Sequence, residues 1–358
     1  MPVPVTLSLD YNALLSTTMM KYQASLTDNI SKEHLIFYMM KQNGLWKTVT
    51  DIGERAAFPL LYELGNPDSY DAYDQLDTTP MEGITTVFFD WRQASVPISI
   101  SGKEELQNRG EERILNLLEA KITQAESGIK EFFSKALIQG NGMVTGLGTD
   151  ISTARVSPLN GSSFIDPLPL LVKPDPTTST TIGSLNQQSV NAQGEAFWKN
   201  QLTDSSATTY VGFLQELRHL YNLCSQGVGG RPDVHVTDLT SYELYEQALA
   251  AYHQNPSYQK ADIPFENTQF KGKPVVWDEN MIDGKTPAVN ATTKGTWFML
   301  NSKFLEMQIQ SSRNFATTPF IRPENQDART AQVLWLGAFG VKNRKKQGIM
   351  IDIARTLS

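Results

Sequence analysis

The chain has 358 residues, more than one hydrophobic core usually supports, so two or three domains are expected. Its 40% apolar and 19% charged residues are ordinary for a soluble protein, and no window holds the ~20 consecutive apolar residues of a membrane-spanning helix. The net charge of −7 argues against sequence-specific DNA reading, and the single cysteine, Cys224, excludes an intrachain disulfide or a cysteine metal cluster.

The opening MPVPVTLSLDYNALL lacks a basic stretch followed by a continuous apolar run. No signal peptide is expected, synthesis in a cytoplasm is, and the sequons at Asn29, Asn160 and Asn290 would go unused. Residues 1–50 read as an arm with short helical pieces. One of these is SKEHLIFYMMKQNG, in which Ser31 can cap and Gly44 can terminate. Its stripe of Leu35, Ile36, Tyr38, Met39 and Met40 suits a core helix or a helix docked on a neighbour.

Residues 51–100 read as an extended hairpin. The runs 56–64 and 84–100 are rich in aromatic and β-branched residues, and the Gly-, Pro- and Asp-rich stretch 65–83 separates them as a wide tip. Pro59 and Pro97 each remove a ladder donor, which predicts edge or kinked strands. A two-stranded ribbon is marginal alone and needs a surface, yet no adjacent segment offers an obvious one. The hairpin is also the acidic part of the chain: nine carboxylates between Asp51 and Gly102 face only Arg55 and Arg92. Beyond Asn301 the sign reverses, with nine Lys and Arg against four acids. Such asymmetry points to contact with another molecule, possibly another copy.

A long helix follows. Ser101-Gly-Lys-Glu104 has capping-box spacing. Leu106, Ile114, Leu118, Ile122, Ala125, Ile129, Phe132 or Phe133, and Ala136 then recur at helical intervals until Gly140-Asn-Gly142. The spacing predicts roughly 36 residues of helix, about 55 Å. A coiled coil is the other reading, but Gly110 and Gly128 interrupt the run and the stripe is not a strict heptad seam. Residues 143–204 read as loop-rich connection and surface, flexible around Lys173 to Thr181.

Two helices are predicted next. The first, from about Ala207 to Ser225, turns Phe213, Leu214, Leu217, Leu220, Tyr221 and Cys224 inward; the second, Ser241 to His253, carries Leu244, Tyr245 and Leu249. Between them PDVHVT (232–237) reads as a short buried strand. FENTQFKGKPVVWDENM and GTWFMLNSKFLEMQI add strands, and the chain ends in the strand-like pair VLWLGAFGV and GIMIDIA, joined by the basic turn KNRKK.

Few residues assemble into chemistry. His34, His219, His235 and His253 have no metal-ligand spacing, and Cys224 lies on an apolar helical face as a core residue would. The glycines at 140, 142, 146 and 148 follow a helix and lack the Gly-Lys-Ser/Thr ending of a phosphate loop. No Gly-x-Ser-x-Gly elbow is present, so catalysis is not expected and no cofactor or metal is assigned. Two charge clusters remain. Asp68, Asp71, Asp74 and Asp77 recur every third position around Tyr70 and Tyr73, as a solvated loop tip or as a charge-paired contact with a neighbour. Lys342, Arg344, Lys345 and Lys346 form a basic turn with three readings: a solvated hairpin turn, an inter-subunit contact, or a contact with nucleic-acid phosphates.

The order of arm, acidic hairpin, long helix, α/β centre and C-terminal strands resembles the major capsid proteins of tailed bacteriophages, whose fold also forms herpesvirus capsid floors and encapsulin shells. The likeness spans nearly the whole chain. It is carried by residues 91–142, similar to the hairpin-to-spine junction; by FKGKPVVWDENM with WFMLNSKFLEM, similar to the strands closing the axial domain; and by residues 321–350, similar to strands returning to the peripheral domain.

The resemblance implies an α+β fold with an arm (1–50), an extended loop (51–100), a spine helix with peripheral domain and connecting loops (101–204), an axial domain (205–300) and returning strands (301–358). It implies a self-assembling subunit of hexamers and pentamers in an icosahedral virion shell around double-stranded DNA. A portal and a separate scaffolding protein would be partners, with a decoration protein as an optional third and no membrane. An encapsulin-type compartment holding a cargo enzyme is the same-fold alternative, and a monomeric ligand-binding protein built on the α/β centre a different one. Some family members crosslink through a hairpin lysine, but none lies between Lys47 and Lys103, so that chemistry is not expected.

Overall fold

The structure is a computed structural model that describes residues 44–51, 53–63, 65, 69–76, 82–107, 111–139, 165–177, 179–192, 194–251, 268–278, 281 and 295–358. The helix expected at 31–44 and the glycines at 140–148 lie almost wholly outside these residues.

In chain order come β1 (Trp46–Val49), β2 (Ala56–Leu61), β3 (Ile84–Phe89), β4 (Arg92–Ser101), α1 (Gly102–Gln107), α2 (Glu111–Gln139) and α3 (Leu168–Leu171). Then follow β5 (Thr181–Ile182), β6 (Leu185–Asn186), β7 (Gln201–Asp204), α4 (Tyr210–Ser225), β8 (Val234–Thr237), α5 (Leu239–Ala251), β9 (Thr268–Phe270), β10 (Lys273–Trp277) and β11 (Gly295–Leu300). The chain finishes with β12 (Leu305–Gln310), β13 (Ala316–Thr317), β14 (Ala328–Val341) and β15 (Gly348–Ile353). The mixture is α+β, as expected.

Two sheets organise these elements. The first runs β1-β12-β14-β13, with β4 on the opposite edge of β14 over ten residue pairs from Arg92↔Gly337 to Ser101↔Ala328. Pro97 therefore sits on an edge strand, where its missing N–H costs no ladder bond. The second runs β7-β15-β11-β8-β10-β9. The expected C-terminal strand pair does not form. β14 belongs to the first sheet, while β15 lies in the second between β7 and β11. KNRKK is thus no hairpin turn but a crossover between sheets.

The sequence alternation explains how each sheet buries both faces. In the second sheet, Val234, Val236, Val276, Phe298, Leu300 and Ile349 face one core, while Val275, Trp297, Met299 and Met350 face the other. That second core is closed by Phe213, Leu214, Leu217, Leu220, Tyr221 and Cys224 of α4, the inner face expected from helical periodicity, and by Tyr242, Leu244 and Tyr245 of α5. Thr209 caps α4 by accepting from the Gly212 N–H at 3.1 Å.

The first sheet packs against α2. Phe133 lies fully buried, edge-on to Trp335 at 4.9 Å and to Phe315 at 5.6 Å. The capping box forms as written: Ser101 N–H donates to Glu104 Oε2 at 3.1 Å and Glu104 N–H to Ser101 Oγ at 3.3 Å. The single 36-residue helix is described as two segments, with 108–110 outside the described residues. α2 alone spans 29 residues, about 44 Å.

Within 143–204, expected as connection and surface, residues 165–174 form a buried strap. Ile165, Leu168, Leu171, Val172 and, further on, Trp198 all belong to the first core, and even Lys173 is 8% exposed. Prolines space the apolar residues of this strap and make it look like loop, while Thr177, Ser179 and Thr181 lie at the surface as expected.

Candidate inter-subunit contact site

The hairpin has a root and a tip with different physics. At the root, β2 and β3 pair antiparallel from Ala56↔Phe89 to Leu61↔Ile84. Alternation sends Ala56, Phe58, Leu60, Val87 and Phe89 inward and leaves Leu61, Ile84 and Phe88 exposed. The inward face rests on this chain's own first sheet, which corrects the expectation of a ribbon without a partner. Phe58 and Phe89 meet edge-on at 5.3 Å above Gly340 of β14, where a Cβ would lie 2.7 Å from the Phe58 ring. The β5–β6 turn places Gly183 (φ 58°) so close to the same inward side chains that a Cβ would stand 2.4 Å from Val87, and its carbonyl accepts from Phe88 N–H at 3.2 Å. Gln308 Nε2 adds a bond to the Ala57 carbonyl at 3.3 Å. Both glycines are needed because rings of the ribbon lie directly on the backbone.

The tip is solvent-facing. Tyr73 is fully exposed, Tyr70 and Leu76 mostly so. Asp71 and Asp74 are exposed and bond each other's backbone: Asp71 N–H donates to Asp74 Oδ2 at 2.8 Å and Asp74 N–H to the Asp71 carbonyl at 3.0 Å. They shape a turn and keep their charge toward water. Asp68 and Asp77 lie outside the described residues.

The basic crossover is placed quite differently. Arg344 is fully buried. Its Nε donates to the Leu171 carbonyl at 2.7 Å, Nη1 to the Trp198 carbonyl at 2.8 Å and Nη2 to Asn200 Oδ1 at 2.9 Å, with the guanidinium 5.7 Å from the Trp198 ring centre. Burial pulls its pKa down to about 9, so it stays charged at neutral pH. Lys346 is also buried, donating to the carbonyls of Gln226 and Gly227. Neither side chain stands in water, which corrects the solvated-turn reading for these two: a sheet-to-sheet crossover runs through the interior, and these cations satisfy carbonyls left there by the strap, by Trp198 and by the end of α4. Beside them, Gln347 Oε1 accepts from Asn301 N–H at 2.9 Å and its Nε2 donates to the Asn301 carbonyl at 3.0 Å, tying this crossover to the β11–β12 link.

Lys342 reaches Glu306, which is also paired with Lys47 at 3.1 Å. Burial raises the Glu306 carboxyl, but hydrogen bonds from Lys342, Gln308 and Lys47 outweigh it and hold the group below the usual carboxylate range. Lys345 pairs with Glu195 at 3.1 Å and keeps part of its side chain in water. The four cations thus never gather on one surface.

Sequence reasoning missed Glu306, Asn200 and Gly340. Gly340 had a signal, since a glycine inside a strand pattern marks close backbone approach; Asn200 and Glu306 had none. Other flagged residues carry no visible chemistry. Cys224 is buried, and burial pushes its thiol up to about 12. His219 is exposed, His235 fully buried, and His34 and His253 lie outside the described residues. Among the described residues no three His, Cys, Asp or Glu side chains converge as metal ligands would, and no helix is long and apolar enough to cross a membrane.

No family model and no curated protein matches the chain. Among solved structures, the capsid asymmetric unit of cyanophage A-1(L) aligns with a TM-score of 0.58 over 87% of this chain and 92% of that one, at 13% identity. The chain has the tailed-phage capsid fold. The capsid of an empty GTA particle is also similar, with a TM-score of 0.48, 11% identity and coverage of 88% and 90%. So is a holo-encapsulin complex from Synechococcus elongatus, with a TM-score of 0.44, 10% identity and 90% of each chain covered.

Proposed function

We propose that this chain is the major structural subunit of an icosahedral shell, that it self-assembles into hexamers and pentamers, and that the shell encloses double-stranded DNA. The observation that carries the reading is the hairpin. Its root is locked by Phe58, Val87 and Phe89 onto a rigid sheet, while Tyr70, Tyr73, Leu76, Leu61, Ile84 and Phe88 are held out in water. A monomer gains nothing from exposing so many large apolar side chains on one projecting element; a neighbouring copy would cover them. Many weak contacts of this kind suffice, because each subunit makes several at once.

Without a hairpin lysine the hold between subunits is non-covalent, and the role is structural and not enzymatic. Particles would assemble in a host cytoplasm and end in the virion, with a separate scaffolding protein and a portal as partners and a decoration protein as a possible addition. Electron microscopy of the purified chain tests the assembly: rings or closed shells are expected, and a stable monomer at high concentration would sink the reading. Nuclease-resistant DNA inside particles is the expected content; a co-purifying enzyme in its place would transfer the chain to the encapsulin-type alternative.

A further inference from the structure

The layer formed by the second sheet and α4 carries a cleft that the shell reading does not use. It measures about 320 Å³ and is lined by Tyr221, Asn222 and Ser225 from the end of α4, by Gln226 and Arg231 from the loop that follows, and by Lys271 from the β9–β10 turn. That volume is at the lower end of small-ligand sites.

The loop is held from beneath. Lys346 Nζ donates to the Gln226 carbonyl and, at 3.2 Å, to the Gly227 carbonyl; Asn301 Nδ2 donates to the Gly229 carbonyl at 3.4 Å. Gly227, Gly229 and Gly230 take φ values of 74°, 125° and 90°, and a Cβ on Gly229 would lie 2.8 Å from the Phe304 ring. The shape is therefore fixed before any ligand arrives.

The charge around the cleft is unbalanced. Arg231 and Lys271 line it, and Lys346 adds a third positive charge below the loop. Among the described residues none of the three has a carboxylate within ion-pair distance, while the nearby Asp233 is spent on Ser302, accepting its N–H at 2.7 Å and its hydroxyl. Lys271 is also an unusual choice for its place. It has φ 53° at the first central position of a tight β9–β10 hairpin turn, before Gly272 at φ 74°, where Asn, Asp or Gly sits without strain. A strained backbone kept at a cation facing a cleft points to use of that cation.

We propose that this cleft binds a small phosphate-bearing anion, with Arg231 and Lys271 as charged partners and the amides of Asn222 and Gln226 as further donors. Arg231 supplies the planar fork that matches phosphoryl oxygens.

Calorimetric titration of sodium pyrophosphate into the full-length chain, at about 0.15 M salt to suppress diffuse attraction, tests this. Saturable binding at one site per chain is expected. R231Q and K271Q should each weaken it about tenfold, the loss of one charge-assisted contact, while K103Q, on the exposed face of α1, should leave it unchanged. K271N adds a signature that a structural role would not give: the unfolding midpoint should rise, because Asn tolerates the left-handed backbone, while affinity falls. N222A serves if the cation variants fail to fold. Absence of saturable binding, or equal affinity in wild type, R231Q and K271Q, would overturn the proposal. Retention of duplex DNA without pyrophosphate binding would overturn it too, in favour of a surface that attracts the polymer.

Discussion

The acidic hairpin tip and the basic crossover look like twins in the sequence, each four charges within ten positions or fewer, yet one stands in water and the other runs through the interior. Among the described residues Asp71 and Asp74 bond only their own turn. Arg344 spends three donors on Leu171, Trp198 and Asn200, and Lys346 spends its ammonium on two carbonyls at the end of α4. The difference lies in what each segment connects. A hairpin tip returns to where it started and leaves nothing unsatisfied; a crossover between sheets must pass irregular chain whose carbonyls need donors. Clustered charge thus reports a partner, and only topology says whether that partner is inside.

The comparison is broken most severely at Arg344. Replacing it with Met should leave three acceptors unpaired in the core and destabilise the chain by about 3–5 kcal/mol, read as a fall in the urea midpoint or as loss of soluble protein. R344K should rescue only part, since one ammonium cannot reproduce a three-way fork. A wild-type midpoint for R344M would place the crossover at the surface after all.

A second interior group gives a pH test. His235 is fully buried among Tyr221, Phe270 and Trp297, and burial pulls its pKa down to about 3. The unfolded chain takes up this proton near the ordinary value of 6.5 and the folded chain does not. Stability is therefore complete above about pH 6.5 and falls as pH drops toward 3, by an amount on the order of 5 kcal/mol. H235F should keep the aromatic packing and flatten that acid limb in denaturation profiles taken across the window. An unchanged limb would show that His235 is hydrated.

A smaller effect is expected at the hairpin root. Gly340→Ala pushes a methyl against Phe58 and Phe89 and should cost about 2 kcal/mol, with faster proteolysis between residues 56 and 89 as the local readout. The smallest effect on the monomer is at the tip. D71K/D74K should shift stability by less than about 0.5 kcal/mol, yet impair particle formation if a neighbour's charge meets the tip. Normal assembly of that double variant would make the acids a solubility device only, and wild-type particles should then also be indifferent to added salt.

What was legible in the sequence is what periodicity controls. The six inward residues of α4, the capping box at Ser101 and the short buried strand at 234–237 were all visible, because each depends on neighbours three or four positions away or on simple alternation. Sheet membership was not. VLWLGAFGV and GIMIDIA are equally good strands, and nothing local says that one pairs with β4 and β12 while the other inserts between β7 and β11. The strap at 165–174 was misread for the same reason: its prolines signal loop, and its burial follows from the core that both sheets share. At the candidate site the exposed tip was visible and the anchored root was not, although Gly340 marked it.

The placement of β15 also has a consequence for how the chain is made. Residues 348–353 occupy an interior position of the second sheet, and β14, ending at Val341, is the strand on which β4, β12 and β13 all pair. The first sheet is incomplete until β14, and the second until residues 348–353, have left the ribosome. Both should therefore close together, late and over long sequence separations, the slow regime of folding. Until β14 emerges the hairpin's inward rings have no sheet to rest on, and a nascent chain is most vulnerable to premature association in the interval before β14 and β15 arrive.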